Sequence, residues 1–269
     1  MKSNRPPLFP GVMLAALLTL LSACASLPGQ KADIDAVITA SGLDAQLKQL
    51  QQPLAAEKMD GLLAMIPDEW IHMVNATIAQ TLQPEQIRSS LRDTLEKKLS
   101  ARELADVQKF YESNTGRRVV SLESGKADNT FINSTINDDA TLDALAETTG
   151  AGKAVSLLAQ HGLNDAVDIA LKNGCFGLSS VPFSGMLAGV VKKAQLNALR
   201  QSVNTRVRQQ YAQLSPDEQS TYLSFSQSLA GQKFFVARNG VMADAATRTG
   251  DALSGQLTVR IKELCAAKA

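Results

Sequence analysis

The chain has 269 residues, with 27 basic against 26 acidic side chains and a formal charge of +1. That near-neutral balance gives no strong field to attract nucleic acid or an anionic membrane surface. Apolar residues make up 45% and aromatics only 4%, a helix-forming composition that can still bury a core.

The first element is a leader. Lys2 and Arg5 form a small positive region, and Leu8 to Leu21 is mostly apolar, though Pro10 and Gly11 interrupt its start. The run is shorter than the roughly 20 apolar residues a spanning helix needs, and small residues follow it, as in a signal peptide. Leu21-Ser22-Ala23-Cys24 resembles the lipobox of bacterial lipoproteins. The resemblance implies cleavage of residues 1–23, a diacylglyceryl group on the Cys24 sulfur and an acyl group on its new amino end. An ordinary secretory leader, with Cys24 incidental, is the alternative. In the lipoproteins it resembles, a residue other than Asp after the cysteine permits export to the outer membrane. Ala25 fits the periplasmic face of the outer membrane better than the inner one.

Cleavage leaves 246 residues, room for one large domain or two small ones. Removing Lys2 and Arg5 leaves 25 basic against 26 acidic side chains. Cys175 and Cys265 then form an even pair in an oxidising compartment. A disulfide between them would close a loop of about 90 residues, worth at most about 4–5 kcal/mol by chain entropy. Two buried free thiols are the alternative.

Residues 24–32 read as the lipidated cysteine and a tether. An internal duplication organises the rest. Leu99–Gly125 and Leu214–Gly240 align at an offset of 115, with seven of 27 positions identical: Leu99/Leu214, Ser100/Ser215, Glu103/Glu218, Phe110/Phe225, Ser113/Ser228, Gly116/Gly231 and Gly125/Gly240. Ser100-x-x-Glu103 and Ser215-x-x-Glu218 are capping boxes, each predicting a helix start, and Pro216 adds a favoured first residue. Leu104, Val107 and Phe110 make an apolar stripe in one copy, Tyr222 and Phe225 in the other. Ser113 and Ser228 can cap a following helix, with Gly116 and Gly231 in its first turn. Upstream, Ile87, Leu91, Leu95 and Val203, Val207, Tyr211 form matching i, i+4 rows. The expectation is an all-α fold of two tandem homologous helical units, residues 33–150 and 151–269. The junction is placed at the small residues Thr148–Gly152, and Gly42-Leu43 and Gly162-Leu163 open each unit with a turn.

The stretch Leu99 to Arg118, with Phe110-Tyr111-Glu112-Ser113-Asn114-Thr115-Gly116 at its centre, resembles the signature of bacterial domain-of-unknown-function family 2059. Asn114 replaces the family's proline and Arg117-Arg118 its lysine pair. In the second copy Ser226 stands for the tyrosine, Leu229 for the proline and Gln232-Lys233 for the basic pair, a divergent match. The resemblance implies a small, helical, exported protein and no particular chemistry.

No residue group reads as a catalytic centre. His72 and His161 are the only histidines, without clustered acidic or cysteine ligands for a metal or a neighbouring nucleophile. Asp138-Asp139 reads as a turn feeding a helix rather than an acid–base pair. Arg117-Arg118 reads as a solvated face before an anion site, and Trp70 as core before a ligand platform. Gly185 to Val191 is too short to span a bilayer. No metal, cofactor or nucleic acid is expected. The expected role is a membrane-anchored, non-enzymatic helical adaptor for an envelope protein. The alternatives are a carrier or sensor of an apolar small molecule in a cavity between the units, then an envelope enzyme. Oligomeric state is left open.

Overall fold

A computed structural model describes residues 33–50, 68–125, 140–158, 160–162, 197, 201 and 203–268. Among them every regular element is helical and there is no strand. In chain order the helices are α1 (Ile34–Ala40), α2 (Leu43–Leu50), α3 (Asp68–Thr81), α4 (Pro84–Lys98), α5 (Ala101–Glu112), α6 (Asn114–Glu123), α7 (Ala140–Thr149), α8 (Pro216–Gln227) and α9 (Leu229–Lys268). Further helical backbone covers 153–158, 160–162 and 203–211. None of these helices is long and apolar enough to cross a membrane, α9 with its 40 residues included.

The duplicated stretches fold alike because their local signals are alike. At the start of α5 the Ser100 hydroxyl accepts from the Glu103 amide at 3.3 Å, and the Ser100 amide donates to the Glu103 carboxylate at 2.8 Å. At the start of α8 the same two bonds, 3.2 and 2.8 Å long, join Ser215 and Glu218. Each box satisfies amides that a helix start would otherwise leave orphaned. Ser113 and Ser228 repeat the device one helix later, each accepting at 3.0 Å from the amide of Gly116 or Gly231. Those glycines are needed for a close crossing of backbones. A Cβ on Gly116 would lie 2.1 Å from the Phe110 carbonyl oxygen, and one on Gly231 would lie 2.0 Å from that of Phe225.

The copies part at Gly125 and Gly240. Gly125 has a φ of +64° and follows the end of α6, whereas Gly240 stays helical and α9 runs on. The continuation is held by burial, because Ala245, Ala246 and Leu253 beyond Gly240 lie in the core.

One hydrophobic core extends from Val37 in α1 to Leu253 in α9, including Leu91, Leu95, Val107, Tyr111, Tyr211, Tyr222, Phe234 and Phe235. Helices from both copies interleave in it: α9 packs on α3, α4, α5 and α8, and α8 also touches α6. Equivalent residues meet face to face, the Phe110 and Phe225 rings stacking at 3.9 Å with planes 4° apart. Tyr222 stacks on the other side of the contact, 5.6 Å from Phe110, an arrangement worth about 0.5–1.5 kcal/mol per pair beyond area burial.

α7 has a place the sequence comparison did not give it. It packs on α8 as α1 packs on α5. Both helices end in a hydroxyl residue and a positive-φ glycine, Ser41-Gly42 (φ +72°) and Thr149-Gly150 (φ +63°). Gly162, which the sequence pairs with Gly42 as a turn, lies in helical backbone against Leu253. His161 beside it is helical for the same reason, since burial of that face against α9 outweighs the turn propensity of glycine.

Candidate functional site

Glu123 and Arg238 occupy equivalent positions in the duplication, the first at the end of α6 and the second in α9. Each follows a strongly apolar run, Val119 to Leu122 and Phe234 to Ala237. The burial of those runs brings the two charges together inside the molecule. Their side chains are 9% and 8% exposed, and Arg238 Nη1 stands 3.5 Å from Glu123 Oε2.

The carboxylate is the hub of a polar cluster drawn from six stretches of chain, α2, α6, α7, 203–211, α8 and α9. Its Oε1 accepts from the hydroxyls of Tyr211 (2.9 Å) and Tyr222 (2.8 Å), and its Oε2 accepts from the Gln46 amide (2.9 Å). Arg238 is held from the other side. Its Nη2 donates to the Thr149 carbonyl at 3.2 Å, and the Asn239 amide donates to the same oxygen at 2.8 Å. Together they satisfy a carbonyl at the end of α7, where no intrahelical donor remains and the helix dipole favours a cation. The guanidinium also lies over the Phe235 ring, 4.8 Å from its centroid, a further cation–π attraction. Arg238 Nη1 faces the Glu123 carboxylate at 3.5 Å as an ion pair without hydrogen-bond geometry, and the Tyr111 hydroxyl is buried without a hydrogen-bond partner.

Burial pulls the Arg238 pKa down, but the Glu123 charge more than offsets it, so the guanidinium stays protonated with its pKa raised. The tyrosines move the same way for another reason. Burial pushes Tyr211 and Tyr222 well above the ordinary phenol range, and the Glu123 charge adds to the push. Burial likewise raises Tyr111. All three therefore act as neutral hydroxyls. Nearer the surface the Lys233 ammonium contacts Glu103 at 2.6 Å and ties α9 to α5. That contact, helped by the Ser100 cap, holds the Glu103 carboxyl down at about 2.

A cleft of about 220 Å³ opens above the cluster. Its floor includes Glu123, Tyr211 and Arg238; its walls are the Gly150–Val155 segment, Val207 and Met242. Gln46 and Glu123 come from α2 and α6, whereas the wall residues come from 150–155, 203–211 and α9. A second opening, about 400 Å³, is lined by Asp143, Ala146 and Glu147 of α7 and by Gln201, Asn204, Thr205 and Arg208.

Of the residues weighed for chemistry in the sequence, His72, His161, Arg117 and Arg118 do not line this cleft. His72 is exposed on α3, and Arg117 and Arg118 are exposed on α6. His161 Nδ1 meets Asp251 at 2.9 Å, joining 160–162 to α9. Among the described residues no group of three or more His, Cys, Asp or Glu side chains is placed to hold a metal. Cys24 with Leu21, Ser22 and Ala23, Cys175, and Asp138-Asp139 lie outside the described residues, as do the side chains of Trp70 and Cys265; the Cys175–Cys265 pairing falls there with them. The alignment of Leu99–Gly125 with Leu214–Gly240, on which both charges fall, was legible. The signal passed over within it is the charge reversal at 123 and 238, the one acid-for-base exchange at the end of two matched apolar runs.

No protein-family profile, no curated protein and no solved structure matches the chain.

Proposed function

We propose that this chain is a non-enzymatic, lipid-anchored binding protein of the bacterial cell envelope, which holds a small ligand in the cleft between its duplicated halves. The observation that carries the reading is the cleft's construction from both copies around one buried polar cluster. Concave sites with apolar walls and a few converging polar groups are the usual form of small-molecule sites. The cluster supplies hydrogen bonds and charge but no nucleophile with an adjacent base, which favours holding over converting a ligand. The polar floor moves the reading away from a purely apolar cargo. Native mass spectrometry of protein released gently from membranes should find a bound mass that is lost in Ala154→Trp, a substitution in the cleft wall. Identical ligand-free spectra for both proteins would overturn the reading.

The anchor rests on Leu21-Ser22-Ala23-Cys24, on Ala25 for placement at the outer membrane, and on the resemblance to the exported family 2059. Two or more acyl chains hold a protein on a bilayer where one does not. Metabolic palmitate labelling should depend on Cys24 and vanish in Cys24→Ser; labelling that persists would refute the anchor. The adaptor reading has one observation in its favour. Leu229 and Val236, one heptad apart on α9, are 64% and 60% exposed. In-cell crosslinking from position 236 that recovers one recurrent envelope protein would favour it over the ligand reading.

A further inference from the structure

Three carboxamides converge on the cleft from separate stretches of chain: Gln46 of α2, Gln210 of the 203–211 stretch and Asn239 of α9. Each commits its nitrogen to the body of the protein. Gln46 Nε2 donates to the Glu123 carboxylate at 2.9 Å, Gln210 Nε2 to the Leu122 carbonyl, and Asn239 Nδ2 to the Thr149 carbonyl at 2.8 Å. All three partners are pure acceptors. Only the nitrogen of each amide can face them, and the flat carboxamide turns its oxygen away. Among the described residues no donor meets any of these three oxygens. All three residues are half-buried and none of the oxygens is a buried unpaired atom, so each stays open in the cleft that its residue lines.

The charges of the cleft select against ions. Glu123 and Arg238 offset one another at 3.5 Å, and Lys153, exposed at the wall, is the one further charge in the lining. That lysine disfavours a cation. An anion would meet three carboxamide oxygens, the negative ends of their dipoles, beside the Glu123 carboxylate. What fits is an uncharged molecule with several donors set at different angles, because a lone donor leaves most of the oxygens unmet. Val155, Val207 and Met242 add apolar surface.

Resting on the ligand-binding reading above, we propose that the cleft is a site for an uncharged polyhydroxylated ring of monosaccharide size, its hydroxyls donating to Gln46 Oε1, Gln210 Oε1 and Asn239 Oδ1 and its C–H face against the aliphatic wall. Hydroxyls suit the site better than N–H groups, since each can also accept from the second hydrogen of an amide nitrogen. At about 220 Å³ the space is below that of drug-sized sites, which limits the occupant to one ring. Neutral hydrogen bonds to groups open to water are individually weak, so the affinity is of millimolar order.

The test is saturation-transfer NMR on the mature protein with glucose, mannose and galactose. Glucuronate and glucosamine serve as the anionic and cationic counterparts at about pH 6, below the amine and above the carboxyl pKa. At least one neutral hexose should show saturable transfer, and both charged sugars should show less. Gln210→Met and Gln46→Met each remove one acceptor and should weaken binding roughly three- to tenfold; helical circular dichroism checks that each is folded, and either alone gives the result. Ala154→Trp should abolish the transfer. No saturable transfer to any of the three neutral hexoses, stronger transfer to a charged sugar, or transfer unchanged in the folded variants would overturn the assignment. A co-purifying mass that is lost in Ala154→Trp and carries a net charge would overturn it too, while leaving the ligand-binding reading in place.

Discussion

The pair at 123 and 238 gives the sharpest prediction. Glu123→Gln keeps the shape of the side chain and can leave its oxygen where Oε1 now accepts from Tyr211 and Tyr222. What it removes is the charge facing Arg238, whose guanidinium then remains buried with the Thr149 carbonyl as its hydrogen-bond acceptor. Removing one member of a buried pair costs about 3–5 kcal/mol, mostly as the penalty of the stranded charge. For a domain of this size each kcal/mol moves the thermal midpoint by roughly 2–4 °C, so the loss should be about 6–20 °C. Arg238→Met strands the carboxylate instead and should cost a similar amount. Glu123→Gln with Arg238→Met strands neither charge, so the double variant should be more stable than additivity implies by about 2 kcal/mol. Urea unfolding followed by helical circular dichroism measures all four proteins. A Glu123→Gln loss under about 1 kcal/mol, or a strictly additive double variant, would show that the pair is solvated and that the polar cluster is not the closed centre described here.

Two further outcomes are expected. The chain has three tyrosines, and all three are in this cluster. Their folded pKa values lie above the ordinary phenol value of about 10, so the stability they contribute is complete below that value and is lost as pH rises past it. Phenolate absorbance should stay flat through the usual phenol range and then appear for all three together as the helices unfold; a smooth titration near pH 10 with helicity retained would refute the burial. Gly116→Ala and Gly231→Ala should each destabilise by about 1–3 kcal/mol, because a Cβ meets a carbonyl of the preceding helix that cannot move aside. The ordinary helix-propensity gain of about 1 kcal/mol in chemical denaturation would mean that the crossing is looser than the contact distances imply.

The helices legible in the sequence are those written in local chemistry. Ser100, Ser215, Ser113 and Ser228 announce helix starts within three residues of themselves, and a capping serine works the same way whatever surrounds it. The apolar rows Ile87, Leu91, Leu95 and Leu104, Val107, Phe110 are likewise local, and they are buried. The end of a repeat is a tertiary matter. Thr148 to Gly152 has the composition of a linker, yet its glycines terminate α7, and what places α7 is the Thr148–Ser226 hydroxyl contact with α8 and the bonds to the Thr149 carbonyl from Arg238 and Asn239 of α9, all from far along the chain. The packing supports a second repeat that opens before α7, matching Ile34-x-x-Val37-Ile38-x-x-Ser41-Gly42 with Leu142-x-x-Leu145-Ala146-x-x-Thr149-Gly150. The cleft was illegible for the same reason. Single-chain spacing aligns Glu123 with Arg238 but does not say that equivalent positions touch.

Equivalent positions of the two aligned stretches do touch, Phe110 on Phe225 and Glu123 on Arg238. When two like units pack face to face, as in an isologous interface, each residue on the axis meets its own equivalent. An aromatic ring tolerates that meeting, and Phe110 on Phe225 has stayed Phe on Phe. A buried carboxylate does not. Glutamate at both 123 and 238 would put two like charges within a few ångströms of one another in a medium of low dielectric, and arginine at both would do the same. Divergence to Glu123 on one side and Arg238 on the other removes the repulsion. It also makes the two halves chemically unequal at the one place where the packing would make them equal. The asymmetry continues outward: Glu123 gathers Gln46 and two tyrosines, while Arg238 reaches the carbonyl at the end of α7. A cleft between identical halves would be lined identically on both sides. This one is lined by Gln46 and Glu123 from one side and by the 150–155 turn, Val207, Gln210, Tyr211, Arg238, Asn239 and Met242 from the other.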